Sequence, residues 1–594
     1  MRFLWSVLVN IWLLLWWPLR ALRSRRACPR GGFLALKLDG QVVEIAARRR
    51  FWQRGPRVVS VHALRETLEL AALDSRVRGL VVSFRHASLG AAVATSLREV
   101  LEGWRARGKP LIAFLPLGAG NRELYVASVA DRVYLGHETW VLPLGFSVDS
   151  PYLKGALDRL GVEPDVYARR EYKTAMEFVT RSEMSAAQRE QLGALLDDAY
   201  ERLLQALTGG RGVTPERARE WVDGAPYDAE DAASVGLVDG VLDDEALLQV
   251  LASAELTLPV SEDAPRARLV SVAAYARRRR VRFRPLVRRP YVAVVEMRGA
   301  IVGKGPGAPQ LGEFVVDDEF REILEEVESD PKALGVVVHI DSRGGSALAS
   351  DRILRAVKKL ARKKPVVAYM GNIAASGGYM IALGGQRLIA QPSTITGSIG
   401  VVAARLIIER LATRLGVSFQ HEARGAHAGM LSAFKPFSVS EKARFESLID
   451  AGYRRFVASV ADARGRSFED IEPLARGRVW SASAALERGL VDELGGLDRA
   501  LEAIRQRIGE NGRKAEVIAI APRSLPSPLS LVGARASLGD RFASLLARLA
   551  SPSGLEASVQ PQLALLGLGL LSAAEAASQR PQLLMWCDIE TPGA

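Results

Sequence analysis

The sequence predicts an α/β protein made of two tandem copies of one parallel-sheet domain, preceded by an N-terminal membrane anchor. Three observations point there. Short apolar strands alternate with amphipathic helices, which gives parallel sheets with helices packed on them. The alternation is written twice at nearly constant spacing. And residues Phe3 to Leu19 are apolar except for Ser6 and Asn10.

The duplication rests on four matches in the same order. Asp158-Arg159-Leu160-Gly161-Val162 returns as Thr413-Arg414-Leu415-Gly416-Val417, a shift of 255. At that shift Ala130 to Tyr134 falls on Gly385 to Ile389. Gly236-Leu237-Val238-Asp239 returns as Gly489-Leu490-Val491-Asp492, and Leu80-Val81-Val82 matches Val336-Val337-Val338. The copies run from about Gly32 to Leu251 and from about Pro290 to Ile508. In the second copy, Val292–Met297, Gly335–Ile340, Pro365–Tyr369 and Arg387–Ala390 read as strands, and Phe320–Val327, Ser350–Leu360 and Glu441–Asp462 as helices.

The flanking segments are of other kinds. Residues 1–31 read as an anchor with a basic flank: Phe3 to Leu19 is at the short end of a membrane span, and a cleaved signal peptide is the rival, but Arg20, Arg23, Arg25 and Arg26 follow in place of a small-x-small site. Residues 252–289 read as a basic linker. Eight arginines lie between Arg277 and Arg289, interrupted by Pro285, and contact with anionic lipid headgroups is the other reading. Residues 509–594 turn to Leu, Ala, Ser and Pro; Leu538–Ala550 is a candidate short amphipathic helix, and Leu563–Ala573 is too short to span a bilayer.

Composition excludes several classes of function. The net charge of +13 is uneven, and no aromatic–basic interleaving accompanies the arginine run, so no nucleic acid partner is expected. Cys28 and Cys587 are the only cysteines, and the six histidines show no ligand spacing, so neither a disulfide framework nor a metal or cofactor is expected.

Chemistry concentrates in two glycine-rich turns. After strand Pro365–Tyr369, the run Ala374-Ala375-Ser376-Gly377-Gly378 gives a strand, a turn and a helix start. Small-x-Ser-x-Gly on such a turn resembles an elbow that exposes a nucleophile, with the Gly377 N–H free to face substrate. A serine capping its helix is the plainer alternative. Asp341-Ser342-Arg343-Gly344-Gly345-Ser346 follows strand Gly335–Ile340, and such loops gather at the carboxyl edge of a parallel sheet where ligands bind. The N–H groups of Gly344 or Gly345 are candidate oxyanion donors.

These two runs, with Pro392-Ser393-Thr394-Ile395-Thr396-Gly397-Ser398-Ile399-Gly400, resemble the signal peptide peptidases called protease IV, in their long, internally duplicated type. The resemblance covers most of residues 32–508. It implies a fold similar to the crotonases and caseinolytic proteases, and hydrolysis of peptides by a serine–lysine dyad. Carried over by position, the nucleophile falls on Ser376. The lysine base falls on Lys173, in Arg170-Glu171-Tyr172-Lys173-Thr174-Ala175, and Ser398 helps orient it. At the 255 shift Ser376 corresponds to Asn121 and Lys173 to Ala428, so each copy keeps one member of the pair.

The lysine must then be buried. With a pKa near 10.4 only about one free lysine in 2,500 is neutral at pH 7, and lowering it to ~7 costs about 4–5 kcal/mol, which an apolar site can impose. By the residues alone, Lys173 reads as a surface lysine in a charged stretch.

The resemblance further implies a homotetramer whose dyad is completed between the N-terminal half of one subunit and the C-terminal half of a neighbour. It implies signal-peptide remnants as substrates and a catalytic part outside the bacterial cytoplasmic membrane, while membrane lipid is the partner expected of the Phe3–Leu19 anchor. Two features depart from the family: Arg343 stands where proline is usual, and the anchor's flanking charge favours the opposite orientation. A crotonase-type acyl-thioester enzyme and a catalytically silent membrane scaffold are the alternatives.

Overall fold

The computed structural model describes residues 2–19, 24, 27–46, 58–257, 264–279, 289–303, 314–513 and 515–521. The apolar runs along the second copy form a sheet in the order Val479–Ser481, Ile395–Gly397, Val366–Ala375, Ala333–Ser342, Tyr291–Arg298, Glu516–Ile520. All neighbours are parallel except the first pair. These strands are apolar on both faces because helices cover both. Val295, Val338 and Ala368 enter one core, whereas Val294, Val337 and Tyr369 enter the other.

The first copy repeats the plan. Its sheet runs Gly240–Val241, Arg132–Leu135, Leu111–Leu115, Val77–Ser88, Gly32–Val43, Leu269–Ser271, all in parallel. Helices match as well: Ala91–Arg105 corresponds to Ala347–Ala361, and Ala186–Arg211 to Val439–Arg464. Ala347–Ala361 shows why such helices form where they do. Ser346 caps it by accepting from the Ala349 N–H, and Ile353, Leu354, Val357 and Leu360 bury one stripe.

Both domains extend past the boundaries that the sequence suggests. Leu269–Ser271 pairs with Gly32–Val43 and Val272–Arg279 is a helix, so this part of the arginine-rich segment belongs to the first domain. Glu516–Ile520 adds an edge strand to the second sheet beyond Ile508. The candidate tail segments Leu538–Ala550 and Leu563–Ala573 lie outside the described residues.

The N-terminal apolar stretch forms a helix over Arg2–Leu15, with Ile11, Trp12, Leu14 and Leu15 exposed. Among the described residues no helix is long and apolar enough to cross a membrane.

The two domains meet along a polar seam that touches the serine-bearing strand. Asn372 Oδ1 accepts from the Ala92 N–H at 3.1 Å, while its Nδ2 donates to Asp341 at 2.9 Å. Thr95 and Ser393 hydroxyls pair at 3.0 Å. Glu44 is wholly buried and accepts from Ser96 Oγ at 2.6 Å and from the Tyr369 hydroxyl at 2.8 Å. Asp498 pairs with His62 and Arg65 at the rim.

Candidate active site

Strand Val366–Ala375 runs six residues past Tyr369, where the sequence reading ends it, so Ser376 stands at its carboxyl end, where the short helix Gly377–Ala382 begins. Its backbone is strained, at φ 54 and ψ −115, a conformation that costs about 1–3 kcal/mol outside glycine. Two bonds hold it there: Ser376 N–H donates to Gly397 O at 2.8 Å, and Met380 N–H to Ser376 O at 2.9 Å. The hydroxyl makes no helix-cap bond, which disposes of the plainer reading of this serine.

The second glycine turn packs directly on it. A Cβ on Gly344, at φ +96, would lie 2.7 Å from the Gly377 nitrogen and 3.0 Å from Ser376 Cβ, so only glycine fits. The Gly344 N–H itself donates to Ser342 Oγ at 3.1 Å. Of the two candidate donors in this turn, Gly344 is therefore already engaged. Arg343 is exposed beside it.

Lys173 reaches the serine from the other domain. Strand Glu163–Ala168 pairs antiparallel with Val402–Ile407 of the second domain, and the loop that follows it turns into the site. Charged neighbours pair outward: Arg170 with Glu472, Glu171 with Arg476, and Tyr172 OH with Glu190. Lys173 points inward and is 7% exposed. The run that looks like a solvated surface in the sequence thus encloses a buried amine. Lys173 Nζ lies 3.1 Å from Ser376 Oγ, 2.9 Å from Ser398 Oγ and 3.0 Å from Ser398 O. Ser398, at φ 51, is fixed by its N–H to Arg478 O at 2.7 Å.

Burial alone pushes the Lys173 pKa down from its ordinary value to about 7. A neutral amine has two N–H donors and one lone pair. Donation to Ser398 O and Oγ leaves the lone pair facing the Ser376 hydroxyl, the arrangement a general base requires.

One expectation is corrected. Lys173 and Ser376 meet within a single chain, so a neighbouring subunit is not needed to bring them together. The cause is the interdomain strand pair, which carries the lysine loop onto the chain's own second domain. Asn121 begins a helix in the first domain and Ala428 lies in an exposed turn of the second, so neither substitutes for its counterpart.

Sequence reasoning missed two contributors, Gly477 and Gln191, and met Gly400 only as the end of the Pro392–Gly400 motif. Gly477, in the turn Arg476-Gly477-Arg478, lies flush against the Lys173 backbone, and Gly400 lies against the lysine's aliphatic stem. Gln191 bonds both walls of the lysine's seat. Of Gly477 and Gln191, only Gly477 had a visible signal, as a glycine between a helix and a strand.

Peptidase family S49 matches this chain twice, over residues 104–257 and 358–510. The chain belongs to that family. Among its relatives, the chloroplastic serine protease SPPA of Arabidopsis thaliana is 28% identical over 89% of this chain and 77% of its own length. Protease 4 of Salmonella typhi is 30% identical over 74% of this chain and 70% of its own. Protease 4 of Haemophilus influenzae is 28% identical over 81% and 79%. The two family matches fall one in each domain, and the second contains Ser376 and Ser398 while the first contains Lys173. This S49 member is a serine-type peptidase of the protease IV group, acting on peptides.

Proposed function

We propose that this chain is a membrane-anchored endopeptidase that degrades cleaved signal peptides with Ser376 as nucleophile and Lys173 as general base. The observation that carries it is the 3.1 Å approach of a buried amine, its pKa near 7, to a serine whose hydroxyl does not cap the helix it opens.

The geometry supports the following course of reaction. Neutral Lys173 takes the Ser376 proton as Oγ bonds to the substrate carbonyl carbon. The oxyanion is held by the Gly377 N–H with that of Gly345, since Gly344 is occupied. The lysine ammonium then protonates the leaving amine as the C–N bond breaks, giving an acyl-enzyme. Water, deprotonated by the same amine, releases the acid and restores the serine. Ser398 keeps the amine aimed through each transfer.

The resemblance adds a crotonase-like or caseinolytic-protease-like fold and a homotetramer, and the apolar run Phe3–Leu19 adds attachment to lipid. To these are added the outer side of a bacterial cytoplasmic membrane, and a preference for small or medium apolar side chains. An acyl-thioester enzyme would leave Ser376 and Lys173 without a joint role, and so would a silent scaffold.

The test is covalent labelling by a fluorophosphonate, together with cleavage of a signal peptide, in detergent. Ser376→Ala and Lys173→Ala should each lose both signals while elution and melting stay as in the parent. Normal peptide cleavage by Lys173→Ala would sink the dyad.

A further inference from the structure

We propose that Gln191 is a positioning residue for Lys173: its carboxamide fastens the loop that carries the lysine to the strand that seats the serine. The assignment rests on the Ser376–Lys173 reading above.

Gln191 lies in the second turn of helix Ala186–Arg211 and is 4% exposed. Its Nε2 donates to Thr174 Oγ1 at 2.7 Å and to Tyr172 O at 3.4 Å, the residues on either side of Lys173. Its Oε1 accepts from the Val479 N–H at 3.3 Å. Val479 opens the strand Val479–Ser481, where it stands opposite Gly397. Gly397 O in turn receives the Ser376 N–H at 2.8 Å, and the next residue is Ser398. One amide therefore closes a hydrogen-bonded path from the backbone around the base to the backbone of the nucleophile, across the two domains.

The residue type matters. The position needs donors toward 172 and 174 and an acceptor toward 479, and only a carboxamide offers both at this reach. A carboxylate would lose the donors and place negative charge near a buried amine, which favours the protonated, unreactive form. Neighbouring Glu190 pairs with Tyr172 and Arg478 at the exposed rim, where such contacts contribute little. Removing the Gln191 amide leaves buried backbone groups without partners, which costs far more.

The experiment follows the pH dependence of fluorophosphonate labelling of Ser376 in the detergent-solubilised full chain, with melting and elution recorded alongside. Gln191→Met keeps the length and removes every bond. It should label about tenfold or more slowly, as expected for a slightly misplaced base. The midpoint of its acid limb should rise by about one pH unit as water reaches the amine. Gln191→Glu should move the midpoint the same way, and Thr174→Val, which removes one acceptor, less far. Should Gln191→Met not fold, the other two decide. Folded variants with the parent's rate and midpoint overturn the proposal. So does a slower rate that merely tracks lost folded protein at an unchanged midpoint. Failure of the dyad itself shows separately, as labelling that survives Ser376→Ala or is indifferent to Lys173→Ala.

Discussion

Gly477 and Lys173 touch through their main chains: a Cβ on Gly477 would lie 2.6 Å from both the nitrogen and the Cβ of Lys173. Gly477 also sits at φ +81, where a side chain is strained whatever the space. Gly477→Ala should therefore push the lysine loop off its seat. Peptide cleavage should fall about 100-fold, the scale of an ångström's misplacement, while the chain still elutes as the parent does. A parent-like rate would show that this contact does not set the lysine's position.

Because Ser376 and Lys173 meet within one chain, mixing two defective chains should not repair either. Ser376→Ala combined with Lys173→Ala, co-expressed or reassembled, should give no labelling above the single variants. Recovery of a quarter or more of the parent's signal, on the order expected for random exchange of halves, would put the lysine in a neighbouring subunit after all.

In its proposed role as base Lys173 must be neutral to accept a proton, and burial holds its pKa at about 7. Labelling of Ser376 should thus rise with pH through about 7 and level off above it. A limb centred near the free lysine value would mean that water reaches the amine.

The same burial has a cost in stability. The unfolded lysine titrates near 10.4 and the folded one near 7, so between these values the unfolded chain holds the extra proton. Stability rises with pH across that window, and the full penalty is present below 7. Lys173→Met should remove it, raising stability at pH 7 by about 2–4 kcal/mol in urea melts while abolishing cleavage.

Glu44 shows the opposite sign. Burial holds its carboxyl up at about 7, against the hydrogen bonds from Ser96 and Tyr369 and the nearby His339, with Asp498 pushing it further up. The folded chain keeps a proton that the unfolded chain loses above ~4.3, so this group's contribution falls as pH rises toward 7. Glu44→Gln keeps an acceptor oxygen for both hydroxyls. It should be more stable than the parent by about 2–3 kcal/mol at pH 8, with the difference vanishing by about pH 4. An equal gain at both pH values would mean that the charge is not the cause.

Much of this was legible because it is local. Val336-Val337-Val338 is a doubly buried strand by composition, and Ser376 announces itself by the small residues a strained turn demands. What was hidden is what depends on distant pairing. Glu-Pro-Asp-Val-Tyr-Ala over Glu163–Ala168 has no strand periodicity, yet it forms the pair that delivers Lys173. Gln191 is one polar residue on a long polar helix, and its meaning comes only from Tyr172, Thr174 and Val479 arriving around it. Glu516–Ile520 was obscured by lying beyond the second copy's last repeated motif.

The strand Val479–Ser481 closes the serine's seat, and it is made late. A ribosome must add roughly a hundred residues after Ser376 before this strand exists, and domains fold as units once their chain has emerged. Through that interval the newborn chain carries Ser376 and Lys173 without the strand that closes the serine's seat. Its destructive chemistry is thereby deferred until the polypeptide is nearly finished. Order of manufacture thus sets the earliest moment at which the two groups can be locked together.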